Sequence, residues 1–144
     1  MYQHKETKSL FYTSQQMYDL VMDIEKYPDF LPWCSSLEIV SRMRNSLKAS
    51  MGFGYKSFSE KLLCRVDTNS EKQKIFVFYE KGPFKHLQNT WQFHNTEDGC
   101  IVDFYIEFQF KNMLLDIAVR PIFENLVYIM VDSFCKRADF LYRN

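Results

Sequence analysis

The side chains best suited to acid–base chemistry in this sequence are its histidines and two carboxylates set among phenylalanines near the end of the chain. His86 and His94 are predicted to share one face of one strand, about 26 Å apart at roughly 3.3 Å per residue. At that distance they can neither bind one metal ion nor exchange a proton. Asp103 and Glu107 alternate with Phe and are expected in solvent. A buried acid–base pair in a cavity is the alternative.

Sequence patterns that mark enzymes and metal sites are missing. There is no GxSxG, HExxH, P-loop or dinucleotide-binding glycine pattern. The four cysteines, Cys34, Cys64, Cys100 and Cys135, are widely spaced without a CxxC pair, which indicates neither a disulfide framework nor a zinc site. The N-terminal residues carry no export signal, so we expect reduced thiols in the cytoplasm. We predict a protein that is not an enzyme, binds no metal and requires no cofactor.

Aromatic residues are unusually frequent. The 144 residues are 47% hydrophobic and 17% aromatic, with 14 Phe and 9 Tyr. This length suits a single domain over residues 1–144, and rings bury much area each. The surplus of rings could line a cavity instead of filling a solid core. An apolar tunnel with few polar anchors is typical of a small-molecule site.

Charge is balanced, with 18 basic and 18 acidic residues. Bulk attraction to DNA, RNA or anionic lipid is therefore not expected, although a local basic patch stays open. No apolar run approaches the roughly 20 residues that span a bilayer. We expect a cytoplasmic protein, with peripheral contact at the inner face of the membrane as an alternative.

The hydrophobic period divides the chain into three parts. Residues 7–13 resemble a short strand, after which Ser14 is a good N-cap for a helix ending near Glu25. A second short helix is predicted from Lys26 to Leu31. Residues 36–111 alternate with period two, which predicts about six antiparallel strands joined by short turns.

After Asn112 the period returns to 3.6, and one apolar stripe runs from Val119 to Leu141. Pro121 lies inside it and predicts a kink or a fresh helix start. A long helix after an antiparallel sheet buries such a stripe on the concave face of that sheet. The fold class is therefore α+β.

The densest apolar segment is residues 27–34, where rings, a Leu and a Cys lie around Pro28 and Pro32. Both prolines restrict the backbone, so the segment is either a core plug or a stiff lip on a cavity. We predict that Tyr27 and Phe30 or Leu31 face the cavity mouth. Trp33 is predicted to pack the segment onto the C-terminal helix.

Residues 81–87 contain a Gly-Pro turn signal. Phe84 lies between Lys81 and Lys85 and is expected to be exposed unless it folds inward, which leaves open a mobile, basic loop that contacts a membrane surface or an RNA phosphate. A tight connection between strands is the alternative.

Five segments together resemble the coenzyme Q-binding and ribosome association toxin family of the START-like, polyketide cyclase-type superfamily. They are residues 17–24, 27–34, 82–93, 102–110 and 134–142. The resemblance implies a helix-grip fold: a curved antiparallel sheet of about six to seven strands around a long C-terminal helix, with two short helices after the first strand. Pro121 departs from the family pattern.

The resemblance implies two functional branches. One binds the polyprenyl quinone coenzyme Q (ubiquinone) and supports respiration; the other binds the large ribosomal subunit and blocks subunit joining. Trp33 favours the quinone branch, so we expect a non-catalytic carrier of ubiquinone or a similar isoprenoid lipid. The ribosome association toxin is the alternative, and a cyclase-type enzyme is the less favoured one. The residues expected to line the tunnel are Tyr27, Phe30, Leu31, Trp33, Phe53, Tyr55, Asn89, Trp91, Phe104, Phe108, Leu126 and Met130.

Overall fold

An antiparallel sheet forms the body of the molecule. The computed structural model describes residues 1–55 and 58–143, with the backbone alone at Tyr55. Within them, seven strands follow the spatial order β1-β7-β6-β5-β4-β3-β2. Their bounds are Tyr2–Leu10 (β1), Cys34–Met43 (β2), Ser46–Tyr55 (β3), Phe58–Asn69 (β4), Lys74–Lys81 (β5), Phe84–Asn95 (β6) and Cys100–Phe110 (β7).

The sheet is strongly curved. One ring of the C-terminal helix, Phe123, lies 5.7 Å from the ring of Phe53 on β3 and 4.6 Å from that of Phe108 on β7, centroid to centroid. Those two strands are separated by four strand spacings, which is about 19 Å in a flat sheet. A single side chain can touch both only if the sheet curls around it. Register shifts at Cys34/Ser36, Ile39/Ser41, Leu63/Cys64 and Phe84/His86 provide local bends.

The first strand begins and ends earlier than predicted. It spans Tyr2–Leu10 instead of residues 7–13, and it pairs with β7 from Tyr2↔Phe108 to Leu10↔Cys100. The alternation was hidden because His4, Glu6 and Lys8 occupy the less exposed positions of this edge strand. Polar side chains at these positions give no hydrophobic period-two signal.

The first helix, α1, spans Ser14–Met22. Its N-cap is Thr13, not Ser14 as predicted: the Thr13 hydroxyl accepts from the N–H of Gln16, and the Gln16 side chain accepts from the N–H of Thr13. This reciprocal capping box needs a Glu or Gln three residues after the cap, and Gln16 satisfies that spacing only for Thr13. Ser14 is instead buried and hydrogen-bonds Gln73.

The remaining helices are short, except the last. A 3₁₀ turn at Ile24–Lys26 leads into α2, Tyr27–Phe30. After β7 come α3, Met113–Ala118, and α4, Arg120–Tyr142. Pro121 lies in the first turn of α4, so the predicted fresh helix start is confirmed. Among the described residues, no helix is both long and apolar enough to cross a bilayer.

The long helix α4 buries one face against the concave side of the sheet. Its buried residues are Phe123, Leu126, Val127, Val131, Phe134 and Ala138. Along β7, every second residue is buried in turn, from Cys100 to Phe110. The α+β, helix-grip architecture predicted from the sequence is thus confirmed.

Candidate functional site

A cavity of about 110 Å³ lies between α4 and the concave face of the sheet. Strands β2 to β7, the α1–α2 region and α4 all contribute to its walls. Nearly every lining side chain is apolar. The lining residues are Val21, Ile24, Tyr27, Leu31, Trp33, Leu37, Ala49, Met51, Phe53, Leu62, Cys64, Val66, Ile75, Val77, Leu87, Asn89, Trp91, Ile106, Phe123, Met130 and Phe134.

Many of the residues selected from the sequence come together here. Those that line the cavity are Tyr27, Leu31, Trp33, Phe53, Asn89, Trp91 and Met130. Four others, Phe30, Phe104, Phe108 and Leu126, are outside its lining. The side chain of Tyr55 lies outside the described residues. Whether any of them binds a ligand stays a prediction.

The predicted tunnel residues outside the lining pack behind the wall instead. The Phe104 ring lies 4.7 Å from that of Trp91, and the Phe108 ring lies 4.6 Å from that of Phe123. Both are fully buried. They were wrongly placed in the lining because period-two alternation identifies the buried face of a strand but not which part of that face adjoins empty space.

The 27–34 segment closes one side of the cavity, and its side chains divide differently from the prediction. Tyr27 and Phe30 both lie edge to face against Phe134 of α4, with ring centroids 5.2 Å apart in each case. Leu31 and Trp33 line the cavity. Of the two predicted alternatives, Leu31 lines the cavity together with Tyr27, whereas Phe30 packs on α4 outside the lining. Residues three apart in a helix share a face, so the turn of α2 directs Tyr27 and Phe30 together toward α4.

Tyr27 is further fixed by its hydroxyl, which donates to the backbone carbonyl of Val21. Burial raises the pKa of this phenol far above its ordinary value. The group therefore stays neutral and acts as a hydrogen-bond donor that ties α2 to α1.

Asn89 is the buried amide of the cavity. Its Nδ2 donates to the carbonyl of Tyr105 at 2.8 Å, and its Oδ1 accepts from Nε1 of Trp91 at 3.1 Å. A primary amide has two donor hydrogens and two acceptor lone pairs. One donor and one acceptor of Asn89 therefore remain beyond these two bonds.

Trp33 provides a second polar group. Its indole N–H is buried and has no acceptor among the residues that the structure describes. A buried donor without a partner costs about 1–3 kcal/mol. Trp33 lines the cavity, and a ligand oxygen that reached this N–H would recover that cost.

The thiol of Cys64, which lines the cavity, is unreactive. Burial raises the pKa of Cys64 to about 12 and that of Cys34 to about 11. A thiol is nucleophilic only as the thiolate, so both groups are inert at neutral pH.

The acid–base side chains lie on the other face of the sheet. Nε2 of His86 is 2.5 Å from Oε2 of Glu107, and the Tyr105 hydroxyl donates to Oε1 of Glu107 at 2.6 Å. The Tyr105 hydrogen bond, followed by that of His86, lowers the pKa of Glu107. His94 pairs with Asp103 at 3.0 Å. The prediction that both carboxylates point away from the Phe face of β7 is confirmed by the alternation of burial along the strand.

The described residues contain no group of three His, Cys, Asp or Glu side chains that could hold a metal ion. The cavity lining, as far as the structure describes it, has no carboxylate or imidazole.

Phe84 was predicted at an exposed loop tip, and this is wrong. The side chain is fully buried, stacked on Phe110 at 4.6 Å. Gly82 adopts a φ of 145°, a conformation that glycine accommodates readily, and Phe84 pairs with Phe110 in the ladder. Lys81 and Lys85 are exposed as predicted.

Other lining residues were missed although a signal existed. Phe134 follows Met130 by four residues in the apolar stripe of α4, and helical spacing places both on one side. Ala49, Met51 and Phe53 occupy every second position of β3 and therefore share one face. The periodicity identifies these residues as buried, but only the assembled sheet shows that they surround a cavity.

Comparisons with known proteins agree with this architecture. Residues 11–135 match the family described as "Polyketide cyclase / dehydrase and lipid transport". "Ribosome association toxin RatA" of Rickettsia prowazekii is 33% identical over 141 residues, covering 96% of this chain and 97% of that protein. "Coenzyme Q-binding protein COQ10 homolog B, mitochondrial" of Xenopus laevis is 28% identical over 144 residues, covering 97% of this chain and 59% of that protein.

A solved structure of similar sequence has the same fold. The solution structure of the 18 kDa protein CC1736 from Caulobacter crescentus is 32% identical, with a TM-score of 0.80 and full coverage of both chains. The resemblance inferred from the five sequence segments is confirmed. By its fold, its cavity and the match over residues 11–135, the chain belongs to the polyketide cyclase/dehydrase and lipid transport family.

Proposed function

We propose that this protein is a non-catalytic carrier that binds a polyprenyl quinone, of the ubiquinone type, in the cavity between α4 and the sheet. The observation that supports it most directly is a cavity with apolar walls whose lining includes two residues with buried polar groups, Asn89 and Trp33. A quinone offers carbonyl acceptors on an otherwise apolar body. The relative named as a coenzyme Q-binding protein points to the same ligand class.

The energetics favour such a ligand over a polar one. Each methylene removed from water contributes roughly 0.8 kcal/mol, so an isoprenoid tail supplies much of the affinity without charged contacts. The Trp33 indole N–H and the spare donor of the Asn89 amide would then orient the head group. No required cofactor and no catalytic group enter this proposal.

The cavity must enlarge to hold a quinone. Its volume of about 110 Å³ is below the roughly 300 Å³ at which sites for drug-sized ligands begin. The contacts of Tyr27 and Phe30 with Phe134 join α2 to α4 without backbone pairing. We propose that these two contacts separate on loading.

Solvent extraction of the purified protein followed by mass spectrometry tests the proposal. We expect a stoichiometric isoprenoid quinone, or uptake of added quinone by the empty protein. An absence of bound lipid combined with no uptake from quinone-loaded vesicles would refute the carrier function. A bound lipid without a quinone ring would keep the cavity but change the ligand class.

The ribosome association toxin is the second candidate. It is favoured by the Rickettsia relative of that name, 97% of which is covered by the match. It predicts cosedimentation with large ribosomal subunits that weakens as salt rises, because phosphate contacts release counterions. Retention of this cosedimentation in a variant with a filled cavity would separate it from lipid binding.

A further inference from the structure

The short helix α3 presents large apolar side chains to solvent. Met113, Leu114 and Ile117 are 77%, 76% and 68% exposed. Scattered single exposures are ordinary, but three within six residues form a patch. These residues precede the apolar stripe of α4, which begins at Val119.

This patch is held firmly in place. Oδ1 of Asn112 accepts from the N–H of Leu114 at 2.7 Å, which caps the helix. Asp116 pairs with Arg120 at 3.6 Å and with the N–H of Phe110 at 3.5 Å. Leu115 packs against the core. The outward direction of the other apolar side chains is therefore fixed by the inward contacts of Leu115 and Asp116.

Three lysines lie at the same end of the sheet as the patch. Lys111 immediately precedes α3, and its N–H donates to the carbonyl of Pro83 at 2.9 Å. This bond joins the segment before α3 to the β5–β6 connection, which is flanked by Lys81 at the end of β5 and Lys85 near the start of β6. All three side chains are exposed. Within the described part of the chain none of them forms a salt bridge, since the three pairs that contain a lysine involve Lys8, Lys48 and Lys136.

We propose that this α3 surface, formed by Met113, Leu114, Ile117, Lys81, Lys85 and Lys111, docks on an anionic lipid bilayer. Aliphatic side chains partition into the boundary between headgroups and acyl chains. Lysines beside them are attracted to the negative surface potential. The chain has no net charge, so the attraction is local to this end of the molecule.

Other occupants fit this surface less well. A second copy of the chain docking through the same patch would bring six lysines together and repel. RNA is bound through stacking rings as well as cations, and the α3 surface offers no exposed ring. An anionic bilayer matches the aliphatic side chains and the lysines at once.

The proposal goes beyond ligand binding, but the two surfaces are connected. The α3 helix leads directly into α4 at Arg120, and Phe123 in the first turn of α4 lines the cavity. Docking through α3 would therefore bring this end of the cavity close to the bilayer. A lipid carrier could use that position for loading.

Flotation with ligand-free vesicles tests the surface. The full chain should bind vesicles of mixed phosphatidylglycerol and phosphatidylcholine and lose binding at raised salt. The triple change Lys81→Gln, Lys85→Gln and Lys111→Gln should weaken partitioning on the order of 100-fold, since each lysine near an anionic surface contributes roughly fivefold. Leu114→Gln with Ile117→Gln should weaken it at least about tenfold.

Matched controls come from the opposite end of the sheet. Phe11 is 88% exposed and adjoins Leu10, which pairs with Cys100 at the far end of β7. Phe11→Gln and Lys72→Gln should leave vesicle binding unchanged. Circular dichroism and thermal unfolding of every variant should match those of the parent, and the single change Leu114→Gln serves where the double variant is unstable.

Equal binding to pure phosphatidylcholine vesicles, or full binding by the lysine variant, would overturn the proposal. Binding of an acidic peptide through the same residues, without vesicle binding, would assign the surface to a protein partner and overturn it too. Quinone uptake from detergent, measured without vesicles, is a separate readout. Normal uptake with no vesicle binding would refute the docking surface alone.

Discussion

Tyr27 and Phe134 meet edge to face with ring centroids 5.2 Å apart, and both residues line the cavity. The contact joins the four-residue helix α2 to the long helix α4. Since Phe30 meets the same ring of Phe134 at the same distance, one α4 side chain holds both rings of α2. If the cavity takes up a ligand as proposed, stability and ligand access are therefore coupled at Phe134.

Phe134→Ala should remove about 3–5 kcal/mol from the free energy of unfolding, because it deletes a fully buried ring. Phe140→Ala, an exposed ring on the same helix, should change it by less than about 0.5 kcal/mol. Urea unfolding of both variants measures the difference. A similar loss in both would show that α2 is not anchored by Phe134.

Tyr27→Phe should lower the free energy of unfolding by about 1–2 kcal/mol, because it leaves the Val21 carbonyl without its donor. The ring contact with Phe134 is kept. Hydrogen exchange in residues 24–31 should rise while exchange in β7 stays unchanged. Uniform loss of protection would instead indicate global destabilisation.

Phe84→Ala should cost about 3–5 kcal/mol, since Phe84 is fully buried among Phe53, Phe110 and Phe123. Lys85→Ala, one residue away and exposed, should be nearly neutral to stability. Thermal unfolding distinguishes them. A mild effect of Phe84→Ala would support the exposed position that the sequence alone suggests.

Ala49→Leu should fill part of the cavity and reduce quinone uptake at least about tenfold, because added methylenes occupy the space that the ligand needs. Ala49 lines the cavity and is buried, so ribosome cosedimentation should be unaffected. Isothermal titration and sedimentation of the same preparation compare the two functions. Unchanged uptake would place the ligand elsewhere.

Trp33→Phe tests the unpartnered indole N–H. Affinity for a quinone should fall about fivefold to tenfold, because a hydrogen bond of about 1–1.5 kcal/mol is lost, while stability should hold or rise slightly. A fully reduced hydrocarbon analogue without the carbonyls should bind both variants equally. A loss of affinity for that analogue as well would indicate a packing effect.

The lowered pKa of Glu107 gives the pH dependence a defined sign. Its carboxylate is stabilised in the fold by Tyr105 and His86, so the stabilisation is complete above the ordinary value of 4.5 and is lost as pH falls through the lower folded value. Urea midpoints for Glu107→Gln should therefore fall less steeply below about pH 4.5 than those of the parent. If the urea midpoints of the variant and the parent fell equally at low pH, the Glu107 carboxylate would not be coupled to folding.

Periodicity predicted the elements whose buried face is uniformly apolar. The alternation of Phe104, Phe108 and Phe110 with charged residues located β7, and the stripe around Phe134 located α4. It failed on β1 because His4 and Glu6 give no apolar signal. These positions become strand only through pairing with β7, which is a contact about a hundred residues away.

The types of residue that form the site could be predicted from the sequence better than the positions of the individual residues. Rings and the Asn89 amide indicated an apolar cavity with a polar anchor, and the cavity is there. Phe84 was misplaced because Gly82 and Pro83 give a local turn signal, whereas its burial depends on stacking with Phe110 across the ladder. The α3 surface was not predicted, because an apolar side chain carries no sign in the sequence that it will be exposed.

The pairing of Tyr2 with Phe108 also constrains how the protein is made. During synthesis β1 leaves the ribosome early and stays without its neighbour until β7 has emerged. The concave apolar face of the sheet stays uncovered until α4 has also emerged. A nascent chain halted before α4 would expose that face, so we infer that late pauses in translation make this protein a client for chaperones that shield apolar surface.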